Sequence, residues 1–137
     1  MKRILKFTFA ILSILVLMFS TSAATTPTAT FTLVQGLPAV MNVGDTATVV
    51  VQVDSDQPFN FAMALPDEYY PGRGVVAVKG GDRVGKGTTA TLAVTFKAKG
   101  STADFADGVA VVHVTVGARY GNDGTLSQDF VFTVRVP

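Results

Sequence analysis

Five stretches of the chain alternate along their length with a period of two, and clusters of Gly, Pro and Asp divide them. From Thr46 to Asp54, the residues Ala47, Val49, Val51 and Val53 share one face, and Thr46, Thr48, Gln52 and Asp54 share the other. A strand sends successive side chains to opposite faces, so this run buries one face and wets the other. Phe59, Phe61, Met63 and Leu65 alternate with Asn60, Ala62 and Ala64 until Pro66 ends the run, because proline cannot donate to a strand ladder. Ala90, Leu92, Val94 and Phe96 alternate with Thr89, Thr91, Thr95 and Lys97. Val112, Val114, Val116 and Tyr120 oppose Val111, His113, Thr115 and Arg119, and Phe130, Phe132, Val134 and Val136 oppose Asp129, Thr133 and Arg135. Shorter strands are expected at 29–34 and 74–79, and the large apolar and β-branched members of these runs are expected to build the core.

Turn formers sit between the runs: Gly36 with Pro38, Gly44 with Asp45, Asp56 to Pro58, Pro71 to Gly74, Gly80 to Gly87, Gly100 to Gly108, and Gly121 to Gly124. No window beyond residue 24 carries a helical apolar stripe, and no internal repeat is visible, so solenoids and propellers are excluded. About seven strands within about 110 residues predict an all-β fold, an antiparallel immunoglobulin-like β-sandwich. A small barrel and a jelly roll are the alternative closures of the same pattern.

Residues 1–24 have a different character. Lys2, Arg3 and Lys6 precede an apolar run from Phe7 to Phe19, and Thr21, Ser22, Ala23 and Ala24 follow it. That order is the layout of a cleavable signal peptide, and the run is shorter than the roughly 17 to 25 residues of a spanning helix. Cleavage is expected after Ala23 or Ala24. The predicted organisation is a signal peptide at 1–24, a flexible lead-in at 25–29 and a sandwich domain at 30–137. Localisation is then secreted, either extracellular or periplasmic, with no stable membrane span once the leader is removed. The 137-residue chain carries a formal charge of +1, but the leader holds three of its eleven Lys and Arg and none of its ten Asp and Glu. The remainder has a balance of −2, which gives no electrostatic footprint for nucleic acid.

The segments VGDTATVVVQV, FNFAMALPDEYYPG, VGKGTTATLAVTFKAKG and DGVAVVHVTVGARYGNDG together resemble the secreted immunoglobulin-like modules of bacterial and archaeal surface proteins. The resemblance is to the cell-adhesion-related and S-layer-associated type, and it covers most of residues 40–137. It rests on a Gly-led strand, a Leu-Pro turn, a Gly-turn before a Thr-rich strand and a Gly-led penultimate strand. It implies a sandwich fold and a role in surface interaction.

Few residues are placed for chemistry. Cys and Trp are absent, His113 is the only histidine, and Glu68 is the only glutamate. Disulfides, thiol nucleophiles and most zinc ligand sets are thereby removed, and no catalytic residue is assigned. The stretch GGDRVGKGT at 80–88 approaches a phosphate-binding loop, but Gly87 stands where a hydroxyl is needed and a strand pattern follows instead of a helix. Ser55, Ser101 and Ser127 lie in or near turns, and none has the setting of a nucleophile elbow. His113 lies mid-strand, where a cross-strand polar contact is the expected role. Calcium is the one metal considered, with Asp54, Asp56 and Asp123 as candidate ligands if the loops bearing them share one end of the sandwich. Tyr69, Tyr70 and Arg73, in the loop PDEYYPGRG, are candidates for contacting a partner, since tyrosine offers a broad amphipathic face.

The expected function is that of a non-catalytic secreted domain that binds a protein or a cell-surface polymer. One alternative is a structural subunit, a homo-oligomer joined through sheet edges by strand exchange. Another is a glycan- or calcium-binding module.

Overall fold

The computed structural model describes residues 25–69, 74–78 and 80–137, so the leader expected at 1–24 lies outside the described residues. Among the described residues eight strands follow one another: β1 Ala29–Gln35, β2 Thr46–Phe59, β3 Phe61–Tyr69, β4 Val76–Val78, β5 Asp82–Val84, β6 Gly87–Ala98, β7 Ala110–Arg119 and β8 Thr125–Val134. They form two four-stranded sheets with the orders β1-β2-β6-β4 and β5-β3-β7-β8. All six strand pairings are antiparallel. The inner faces meet in one buried cluster that includes Val49, Val51, Val53, Phe59, Leu92, Val94, Phe96, Val112, Val114 and Val116. Full burial of each such side chain stabilises the fold by roughly 1.5–3 kcal/mol.

Four of the five alternating runs face as the sequence predicts. Val49, Val51 and Val53 are buried in β2, and Ala90 to Ala98 are buried at every second position of β6. The run through β3 is reversed. Phe59 is buried, but Ala62 and Ala64 point inward, whereas Phe61, Met63 and Leu65 point outward. The cause lies at Asn60, the single residue between β2 and β3, where the chain leaves one sheet for the other. The Asn60 N–H donates to the Arg119 carbonyl at 2.7 Å, beside the Phe61–Arg119 pair that opens β3. One extra residue at this crossing shifts the alternation by one position and exchanges the two faces of everything that follows. Nor does Pro66 end the strand, which continues to Tyr69. Ala64 is the last β3 residue paired with β5, so one flank of the strand is unpaired at Pro66, where proline is tolerated.

Between β3 and β6 the chain lays a three-residue strand on the edge of each sheet in turn. β5 lies within the glycine-rich stretch that was expected to be a loop. A Cβ at Gly81 would stand 2.6 Å from the Ala64 carbonyl oxygen, so glycine is what lets the chain come this close to β3. Asp82 then accepts the N–H of Ala93 from the opposite sheet at 2.8 Å, which ties the two sheets together along that side.

The far side is closed near the C-terminus. Val40 and Arg135 form a parallel bridge, with the Met41 N–H donating to the Arg135 carbonyl at 2.9 Å. Thr102, fully buried, accepts the Val136 N–H at 2.9 Å and donates to the Gly108 carbonyl at 2.7 Å. Two residues of the lead-in hydrogen-bond to the end of β2. Gln57 donates to the carbonyl and hydroxyl of Thr25, and Asp56 accepts the Thr28 N–H.

Candidate functional site

The two outer faces of the sandwich differ in chemistry. On the β1-β2-β6-β4 sheet two outward cross-strand pairs are polar ladders, although Val50 stands opposite Ala93 and Val34 of β1 is 63% exposed. The Thr48 and Thr95 hydroxyls meet at 3.0 Å, and Thr91 donates to Gln52 Oε1 at 2.6 Å. Such ladders satisfy themselves and leave an ordinary wetted surface.

The β5-β3-β7-β8 sheet carries the reversed face of β3. Phe61, Met63 and Leu65 form its apolar row, and Leu65 is 54% exposed. Register places Gly117 of β7 between Met63 of β3 and Ser127 of β8. Because Gly117 has no side chain, the surface dips there into an open trough of about 320 Å³. Phe61, Met63 and Leu65 line it together with Thr115, Arg119, Thr125 and Ser127. A Cβ on Gly117 would press on Thr125 Cγ2 at 3.3 Å. Two arginines stand at the Phe61 end. Arg83 of β5 stacks over the Phe61 ring with its guanidinium carbon 4.1 Å from the centroid, and Arg119 donates to Thr125 Oγ1 at 3.4 Å. Elsewhere on this face His113 Nδ1 and Asp129 Oδ2 are hydrogen-bonded at 2.8 Å. Thr115 also donates to Asp129, at 3.2 Å, and Thr115 and Asp129 share a cross-strand position beside Leu65. The trough therefore has guanidinium groups by one end and the hydrogen-bonded Asp129 carboxylate beside the other, over an apolar floor.

Of the residues singled out by sequence, the described ones do not line the trough. Tyr70 and Arg73 are outside the described residues, and Tyr69 ends β3 opposite Val111. Asp54 and Asp56 do share an end of the sandwich with the turn that holds Asp123, because Ser55 Oγ and the Tyr120 hydroxyl meet there at 2.7 Å. The three carboxylates do not converge, and among the described residues no group of three metal-binding side chains does. Asp54 accepts from Gln52, while Asp56 is held below the ordinary carboxylate range by the Thr28 backbone N–H it accepts. His113 makes the cross-strand contact expected of it. Gly80 to Gly87 hold β5 and no helix.

Sequence reasoning missed the trough because both faces of the run from Phe61 to Leu65 are apolar. Alternation alone then has no polar face to set outward. The available signal was Asn60, a polar residue between Phe59 and Phe61 at the point where the run must change sheets.

Two packed antiparallel sheets of this strand order make the chain an immunoglobulin-like β-sandwich. No family model matches the chain, and no curated protein does. Among solved structures it is similar to native alpha-2-macroglobulin from Escherichia coli, spanning domain MG7 to the C-terminus, at 15% identity and a TM-score of 0.50. That match covers 81% of this chain and 16% of the other, so the chain spans under one fifth of that structure's length. The native conformation of E. coli alpha-2-macroglobulin, reconstructed by cryo-EM, gives 16% identity and a TM-score of 0.49 over 83% of this chain and 7% of the other. AvmM, which catalyses macrocyclization in alchivemycin A biosynthesis, gives 12% identity and a TM-score of 0.44 over 82% and 90%. At such identities the likeness bears on fold alone. Among the described residues, no helix is long and apolar enough to cross a membrane.

Proposed function

We propose that the chain is a non-catalytic module that is exported by its leader and binds a cell-envelope or extracellular partner through the outer face of the β5-β3-β7-β8 sheet. One observation carries this reading: half-buried Phe61 and Met63 and exposed Leu65 line an open trough on the outer face of one sheet, with Arg119 among its walls. The opposite face carries the Thr48–Thr95 and Thr91–Gln52 ladders. The leader pattern at 1–24 supports export, and the lone His113, tied to Asp129, supports a binding role over a catalytic one. The macroglobulin likeness supports the same reading at the level of fold, since sandwiches of this kind serve as modules of larger assemblies.

The test is to express the full chain with its own leader, then measure its intact mass and its partition between medium and envelope. The reading expects cleavage after Ala23 or Ala24 and retention with envelope material that Met63→Glu abolishes. Retention unchanged by Met63→Glu would overturn the role of this face, and an uncleaved mass would overturn export by a cleaved leader.

A further inference from the structure

We infer that the trough takes an apolar-tailed carboxylate, with its head group at Arg83 and Arg119 and its tail along Met63 and Leu65. This rests on the reading of the outer face as the binding surface and names the chemistry that would occupy it. Three features select that class. The first is shape: an open trough of about 320 Å³ is at the lower end for small-molecule sites, and its floor is apolar with a few polar groups at the rim. From Phe61 to Leu65 it runs along four residue steps of strand, about 14 Å, which suits an extended chain better than a compact ring system.

The second feature is charge. Arg83 and Arg119 flank Phe61 from the two neighbouring strands, since Arg83 pairs with Met63 and Arg119 with Phe61. Among the described residues, neither guanidinium has a carboxylate within 4 Å. Arg83 lies over the ring of Phe61, and that stacking leaves the in-plane N–H groups of a guanidinium available to an oxyanion. The third feature is polarity along the trough. Asp129, held by His113 and Thr115, stands beside the Leu65 end. A carboxylate offers an oxyanion no N–H or O–H, so the head group is directed to the arginine end. Gly117 supplies the depth in between.

The experiment titrates the exported full chain with decanoate, decanol and decyltrimethylammonium while following backbone amide resonances. Decanoate is expected to shift Met63, Gly117 and Ser127 and to bind roughly tenfold more tightly than decanol, the difference made by a charge-assisted hydrogen bond. The cation is expected to bind least. Arg119→Gln should remove most of the tenfold preference, and Arg119→Lys should restore part of it. Gly117→Val should abolish binding by filling the floor. If that variant fails to fold, Leu65→Glu, at an exposed position, serves in its place. Equal affinity for decanoate and decanol overturns the inference, as do shifts confined to the Thr91 face or no shifts at all. Loss of envelope retention in Leu65→Glu without any decanoate preference overturns the ligand class and leaves the face. A decanoate preference with retention unaffected by Leu65→Glu does the reverse.

Discussion

Thr102→Val tests the closure of the sandwich with an almost isosteric change. The Thr102 side chain is fully buried in the segment between β6 and β7, and its hydroxyl has one backbone N–H and two backbone carbonyls in reach. It accepts the Val136 N–H at 2.9 Å and donates to the Gly108 carbonyl at 2.7 Å. Valine keeps the shape and removes both bonds. The Val136 N–H is then left buried with no acceptor, which costs about 2 kcal/mol, and the lost hydroxyl donation costs about 1 kcal/mol more. The extra methyl returns about 0.8 kcal/mol, so the net loss is about 2 kcal/mol. In a domain of this size that lowers Tm by about 8 °C. Urea unfolding followed by far-UV circular dichroism should show a lower midpoint at unchanged slope. Thr102→Ser, which keeps the hydroxyl and loses one methyl, should lose about 1 kcal/mol. A Thr102→Val protein as stable as Thr102→Ser, or more so, would refute the claim that the hydroxyl, not the packing, closes this end.

Three further outcomes follow from the same structure. Ala62→Glu should prevent folding by burying an unpaired charge, whereas Leu65→Glu should stay within about 0.5 kcal/mol of the parent; comparable losses would contradict the reversed facing of β3. Gly81→Ala should destabilise by about 1–3 kcal/mol, because its Cβ meets the Ala64 carbonyl, and an unchanged thermal midpoint would count against that close approach. Asp56, held below its ordinary value by the Thr28 N–H, contributes stability above about pH 4, where the unfolded carboxyl is also ionised. That contribution disappears as pH falls through the lowered folded value, so the acid loss of Tm should be shallower in Asp56→Asn than in the parent; equal slopes would contradict it.

Most of the fold is legible in the sequence, and the reason is visible in β2, β6, β7 and β8. In each, one face carries Thr, Gln, Asp, His or Arg, so the pleat has one way to lie. The run through β3 has no such face, and its orientation is decided by Asn60 at a sheet crossing that depends on tertiary structure. β5 was hidden because three residues among glycines show no period. The pairing of Val40 with Arg135 is likewise long-range and leaves no local trace. The candidate site was illegible for a related reason. It is assembled by register across β3, β7 and β8 from residues that are unremarkable singly, and its depth comes from a missing side chain at Gly117. The acidic turns and the tyrosine loop stood out instead because their chemistry is local.

The central claim is that one outer face of the sandwich binds and the other does not. The most direct measurement compares the envelope retention of the exported parent with Leu65→Glu on the trough face and Thr91→Glu on the polar face, after thermal melts show that both variants fold. The account predicts at least a roughly tenfold loss of binding for Leu65→Glu, from one apolar side chain no longer buried on contact, and parent-like retention for Thr91→Glu. Equal retention in all three proteins, or a loss confined to Thr91→Glu, would contradict it.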